Sequence, residues 1–375
     1  MTLNVIVYTS SNQKISNLNL LERPLLKQLQ EFAQLLIIPA NKISDVDRNH
    51  LSLLLVLNKE NTLLLKRQYE DLPRPILFLI DEESHNLPMV LEASTWLNSN
   101  SIKNEILCSD NNHIKKRIQQ LERILTTEKR LMNRRIGILE SPASNLIASN
   151  VDYFLTKRRW GVDFIDIPLN TNLSPLYTED FKRIKQEIPD NVDFFTPFFH
   201  LIRSKRLSAL ALDLLKTPNK LIPSIISACS RLSKSHFPIA YQTDPQSIFT
   251  MLATKLLIGS TPTLSLPIQM DLSNNFIKLV TYPGDYNNFH DLKPEDKITI
   301  LKCGNYCLDQ FYLSSGIVLS NPQITSNESG IITIQLDTPV EKLLKKPLGS
   351  HYVLLKGEYN ELIHEFFISN HCIRI

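Results

Sequence analysis

The sequence predicts an α/β protein: two Rossmann-like α/β domains with parallel sheets, followed by a β-rich, antiparallel, barrel-like C-terminal domain. Three observations carry this expectation. Short apolar runs alternate with amphipathic stretches through the first two thirds of the chain, as strands and crossover helices do. After Gly259 the texture changes to short strands bounded by Pro, Gly and Asn, as in an antiparallel sheet or small barrel. Finally, 375 residues divided by roughly 150 gives two to three domains.

In the N-terminal domain, 1–133, apolar runs at 4–9, 35–38, 51–57 and 75–80 read as strands, and 20–34 and 87–97 as helical stretches. Over 110–132, Ile114, Ile118, Leu121, Leu125 and Leu131 recur at three- and four-residue steps apart from one longer gap, predicting one long amphipathic helix. The pattern breaks at Asn133-Arg134-Arg135. The middle domain, 134–258, opens with a strand at 136–139. A turn and helix cap at Ser141-Pro142-Ala143-Ser144 then lead into a helix over 145–160. Lys157, Arg158 and Arg159 suit that helix's last turn, and Gly161 its stop. Strands are expected at 162–167, 207–212 and 238–241, with helices at 218–232 and 245–256. The C-terminal domain, 259–375, should hold strands at 263–268, 276–282, 297–301, 312–319, 331–336 and 352–355. A helix at 359–369 and a terminal strand at 372–375 close the chain.

Composition excludes several functions. The 41 Lys+Arg and 38 Asp+Glu leave a net charge of +3, too small for a dedicated nucleic-acid or anionic-membrane binder. No apolar run approaches the roughly 20 residues a membrane span needs, and the start carries no signal-peptide pattern, so a cytoplasmic protein is expected. Five thinly spread cysteines, Cys108, Cys229, Cys303, Cys307 and Cys372, read as free thiols in a reducing compartment. All nine glycines lie at or after Gly137, and none are spaced as G-x-G-x-x-G or G-x-x-x-x-G-K. Backbone cradles for phosphate need those glycines, which argues against dinucleotide oxidoreductases and P-loop NTPases.

The candidate chemistry sits at predicted strand ends. Asp244 follows the strand at 238–241, where open α/β sheets bind ligands, and it also suits the N-cap of the next helix. Asp213 occupies the same position after 207–212, as a catalytic carboxylate or a loop aspartate. Together the two could divide acid and base roles or share a metal. His351, at the mouth of the strand 352–355, would complete a mixed nitrogen and oxygen set for manganese or zinc, or serve as an ordinary surface or core histidine. Cys303 and Cys307 flank a Gly304-Asn305 turn without a second pair. The basic clusters at 115–117, 129–130 and 157–160 read as solvated helix faces.

Three segments resemble a family. Residues 136–149 (IGILESPASNLIAS), with Trp160-Gly161-Val162 and 165–169 (IDIPL), look like the middle domain of the L-fucose isomerase-like proteins, which belong with the L-arabinose isomerases. Ala240-Tyr241-Gln242-Thr243-Asp244 and the segment 246–252 resemble that family's Cys-Glu-Gly-Asp segment and the helix after it. The stretch 347–357 resembles its closing Gly-Asn-His-His strand, so the likeness spans roughly 75–370.

The resemblance implies two α/β domains with a C-terminal barrel-like domain, a homo-oligomer, a small-molecule sugar as partner, and Mn2+-dependent aldose–ketose isomerisation through an enediol. It implies metal-binding roles for Asp244 and His351, with Asp213 matching an aspartate at the end of the preceding strand. Five positions depart from the pattern. Gln242 replaces the glutamate, Thr243 the glycine, Thr281-Tyr282 a His-Cys pair, and Tyr352 the second closing histidine. A carboxamide neither takes up a proton nor ligates as an anion. The alternative expectation is therefore a carbohydrate- or protein-binding homologue without turnover.

Overall fold

The computed structural model describes residues 1–9, 19–57, 61–80, 85–107, 111–168, 194–214, 222–282, 289, 291–325 and 329–375. The chain divides into two compact units, Met1–Leu125 and Thr126–Ile375.

In the first unit, five parallel strands run in the order β2-β1-β3-β4-β5, with β1 Thr2–Tyr8, β2 Gln34–Pro39, β3 Leu51–Val56, β4 Ile76–Leu79 and β5 Asn104–Leu107. Strand side chains alternate between faces, so a sheet covered on both sides must be apolar at nearly every position. β3 is buried throughout. Leu3, Val5, Val7, Leu53 and Leu55 join Leu25, Leu26, Leu29, Ile114, Ile118 and Leu121 in one core. Ile6, Tyr8, Leu54, Val56 and Phe78 join Leu65, Val90, Ala93 and Leu97 in another. The expected long helix is present as Asn111–Leu131.

The second unit contains a parallel sheet and a barrel. Strands β6 Arg135–Leu139, β7 Asp163–Ile167, β8 Ala209–Ala211 and β9 Ile239–Ala240 pair in the order β7-β6-β8-β9. Six antiparallel strands then close into a barrel: β10 Thr263–Asp271, β11 Phe276–Thr281, β12 Lys297–Gly304, β13 Gln310–Val318, β15 Gly330–Leu336 and β16 Tyr352–Lys356. Pairing of β13 with β15 completes the ring, while short β14 (Gln323–Ile324) and β17 (Ile373–Arg374) add to β15 and β13. Closure needs a glycine at the crossing, because a Cβ on Gly316 would run into the Gln335 carbonyl. The α/β class with two parallel sheets and an antiparallel barrel is thus the observed architecture.

The helix Pro245–Ile258 joins the two sheets of this unit. Nearly all of its residues are buried, since it packs on β6, β8 and β9 on one side and on β10, β12 and β16 on the other. A surface helix has one apolar stripe, whereas a helix covered all round must be apolar all round. Here the polar side chains bond inward: Thr250 Oγ1 donates to the Gln246 carbonyl at 2.7 Å, and Thr254 Oγ1 to that of Thr250.

The helix expected over 145–160 begins late, at Tyr153–Trp160. Asp152, rather than Ser144, caps it, accepting the Leu155 N–H at 2.8 Å, and Gly161 ends it at φ +68°. Backbone groups before it are tied elsewhere, with the Ala143 N–H on the Thr243 carbonyl at 3.1 Å and the Ala148 carbonyl on Gln246 Nε2 at 2.8 Å. The helix expected at 20–34 is split into a 3-10 turn at Leu20–Glu22 and a helix at Pro24–Gln30, followed by β2. The helix expected at 218–232 runs over Ile222–Lys234, its first residues lying outside those described. Among the described residues no helix is long and apolar enough to cross a membrane.

Candidate functional site

Asp244 stands just past β9, at the carboxyl end of the parallel sheet. Its φ of −104° and ψ of 99° make it the N-cap of the buried helix, and Oδ1 accepts the Ser247 N–H at 2.9 Å. Capping uses only one oxygen. On Oδ2, Ser247 Oγ donates at 2.7 Å, Lys302 Nζ at 3.0 Å, and His351 Nδ1 lies at 3.3 Å. Lys302 also donates to Ser247 Oγ at 2.7 Å, closing a three-membered polar ring.

Lys302 comes from β12, on the strand face of Ile298 and Ile300, which line the barrel core. It and Asp244 are fully buried, and His351 is 1% exposed. A buried charge is tolerated when paired and hydrogen-bonded, and both ions meet that condition here. Burial pushes the Asp244 carboxyl up, but the Lys302 ammonium, with His351 and Ser247, more than reverses this and holds it far below the ordinary carboxylate range.

His351 immediately precedes β16 and lies two residues after Gly349, whose φ is +105°. Ser350 Oγ approaches Nδ1 at 3.2 Å. The other ring nitrogen, Nε2, is 2.9 Å from the hydroxyl of Tyr282, the residue after β11. The Tyr282 ring lies nearly parallel to both Tyr241 and His351, at centroid distances of 5.7 and 6.1 Å. A continuous line therefore runs from Asp244 Oδ2 through the imidazole to a half-buried phenol. Beside it, Gln242 Oε1, Thr243 Oγ1 and Gln246 Oε1 are buried oxygens with no hydrogen-bond partner among the described residues.

Of the three residues singled out from the sequence, Asp244 and His351 meet. Asp213 follows β8 and is 9% exposed. Among the described residues no three His, Cys, Asp or Glu side chains gather closely enough to hold a metal ion. The donor chemistry agrees with that geometry. An ionised carboxylate offers about four lone-pair positions, and protein donors approach Asp244 from four, one of them a full positive charge. The set as built does not fit a bound divalent ion.

Lys302 and Ser247 were not read as site residues from the sequence, and Tyr282 was named there only as a departure from the resembling family's pattern. Lys302 carried a signal, since it continues the apolar run Ile298-Thr299-Ile300-Leu301 one residue beyond the expected end of the strand. Tyr352, where the resembling family has its second histidine, lies in the barrel core edge-on to Tyr312. Thr281 brackets Gly330 across the sheet, accepting its N–H at 3.0 Å and donating to its carbonyl at 3.4 Å. The basic clusters have internal partners. Arg117 binds Glu105 through two nitrogens at 2.6 and 2.8 Å, Lys157 pairs with Asp163 at 2.7 Å, and Arg159 donates to the Asn370 and His371 carbonyls at 2.7 and 3.0 Å. Compared with known proteins, the chain matches no family model and no curated sequence.

Proposed function

We propose that the chain is a sugar ketol-isomerase-like protein in which Tyr282, poised by His351 and Asp244, handles protons for a small polyhydroxylated aldehyde or ketone. The hydrogen-bonded line from Asp244 to the Tyr282 phenol is the observation that carries this reading. A base oriented by a third group and touching an acidic hydroxyl is the arrangement that activates that hydroxyl. With its own proton on Nδ1, facing Asp244, the imidazole accepts the phenol's hydrogen bond at Nε2. Passing that proton to Nε2 leaves a phenolate, which takes a proton from the carbon beside the substrate carbonyl. The resulting enediolate shifts its remaining hydroxyl proton to the former carbonyl oxygen, the regenerated phenol delivers the carbon-derived proton to the neighbouring carbon, and the phenolate so formed takes back the proton held by the imidazolium. Asp244 stays ionised throughout and steadies the imidazolium, the role its depressed pKa suits.

The test is incubation with aldopentoses and 6-deoxyhexoses in D2O without added metal, followed by NMR of deuterium entering C1 or C2. Exchange should occur and fall by about 100-fold or more in Tyr282→Phe. A second reading, sugar binding without turnover, is favoured by Gln242, whose carboxamide takes no proton and whose buried Oε1 has no hydrogen-bond partner among the described residues. A sugar-dependent rise in melting temperature with no exchange would select it, and neither response would remove both. A cytoplasmic setting belongs to the same proposal and is supported by the free thiols of Cys303, Cys307 and Cys372.

A further inference from the structure

We infer that Lys302 is the resident cation of this site: its ammonium occupies the position on Asp244 and His351 that a divalent ion would otherwise take, so the protein works metal-free and loss of the ammonium uncovers a cation site. The inference rests on the reading above only in taking Asp244 and His351 as the working pair. It concerns which positive charge they face, and its test reads metal binding rather than proton exchange.

The geometry supports the exchange of one cation for another. Lys302 Nζ is 3.0 Å from Asp244 Oδ2 and 2.7 Å from Ser247 Oγ, and His351 Nδ1 is 3.3 Å from the same carboxylate oxygen. An ion bonded to Oδ2 at about 2.2 Å would share that oxygen with the ammonium. In a buried setting, two positive centres that close repel strongly. Both cannot be held, and Lys302 is tethered to β12 whereas an ion must come from solution.

Shortening Lys302 removes the competitor and leaves a buried carboxylate without its counter-charge, next to an imidazole and a hydroxyl. That mixed nitrogen and oxygen set suits Mn2+ or Zn2+. If Nδ1 becomes a ligand, the imidazole proton moves to Nε2, where the Tyr282 oxygen at 2.9 Å accepts it, the usual outer partner of a metal-bound histidine.

The experiment compares wild type, Lys302→Ala and Lys302→Ala/His351→Ala, each purified with a chelator, by thermal shift and by Mn2+ titration followed with electron paramagnetic resonance. Wild type should show no tight one-to-one Mn2+ site and no change in melting temperature with Mn2+, Zn2+ or chelator. Lys302→Ala should melt lower and recover by about 5 °C at saturating Mn2+ or Zn2+. Its affinity for Mn2+ should exceed that of wild type at least tenfold, and the double variant should lose the gain. A folded Lys302→Ala that gains nothing overturns the inference. If Lys302→Ala does not fold, the wild-type titration decides: a tight site that Asp244→Asn abolishes overturns it, and its absence, together with recovery of folded Lys302→Ala on refolding with Zn2+, upholds it.

Discussion

Lys302 and Asp244 hold one another in place at a depth where neither ion would be stable alone. Breaking a buried pair from one side typically costs 3–5 kcal/mol, whereas replacing both partners costs far less. Lys302→Met should therefore destabilise by about 3–5 kcal/mol in urea unfolding, and Lys302→Met/Asp244→Asn should recover a large part of that loss. The pH dependence follows from the same carboxylate. Its folded pKa lies far below its unfolded value, so its contribution is complete above about pH 4 and disappears only as the pH falls through the depressed folded value. Unfolding free energy measured against pH should show an acid limb that flattens in Asp244→Asn, with no pH dependence from this group near neutrality, where its contribution is complete. Asp244 was legible in the sequence because both of its signals are local, a strand just before it and a Pro-led helix just after. Lys302 was not, since a lysine 58 residues away is buried only because the fold brings it to this carboxylate.

At the scale of elements, the helix Tyr153–Trp160 and the barrel seam offer separate tests. Removing a helix N-cap side chain costs about 1 kcal/mol, so Asp152→Ala should lower stability by that amount. Gly316→Ala should cost more, about 2–3 kcal/mol, because its methyl group has to push β13 and β15 apart where the barrel closes. Hydrogen exchange should show protection lost first along the Gly316–Val318 pairing. Regular periodicity made some elements readable: Asn111–Leu131 repeats its apolar stripe over 21 residues. β5, with the sequence Asn-Glu-Ile-Leu, has only two apolar residues and becomes a strand by pairing with β4. The misplaced start of Tyr153–Trp160 has a similar cause. Ser141-Pro142-Ala143-Ser144 has the composition of a cap, but Gln246, about 100 residues on, takes the carbonyls of Ala148 and Asn150.

Across the whole molecule, thiol chemistry reports on packing. Cys229, Cys303 and Cys372 are buried, while Cys307 is half-buried. Burial pushes the Cys372 thiol from 9.0 to about 11 despite Arg159 nearby, and drives Cys303 well above its usual value. In native protein near pH 8, Cys307 should be alkylated well before these three, which should react only on unfolding. Mass mapping distinguishes the sites, including Cys108, which lies outside the described residues. The sign on the alkaline side is fixed as well. A folded pKa above the unfolded one means stability is intact below about pH 9 and declines as the pH rises toward 11.

The helix Pro245–Ile258 has a consequence for how Thr126–Ile375 can be taken apart. Because one side of it roofs β6, β8 and β9 and the other floors β10, β12 and β16, no cut through 259–262 yields two pieces with finished surfaces. The barrel is not a transplantable module. Expressed from residue 259 onward it would present an unroofed apolar wall and aggregate, whereas co-expression with the preceding fragment should restore a non-covalent complex that elutes as one species and melts in a single transition.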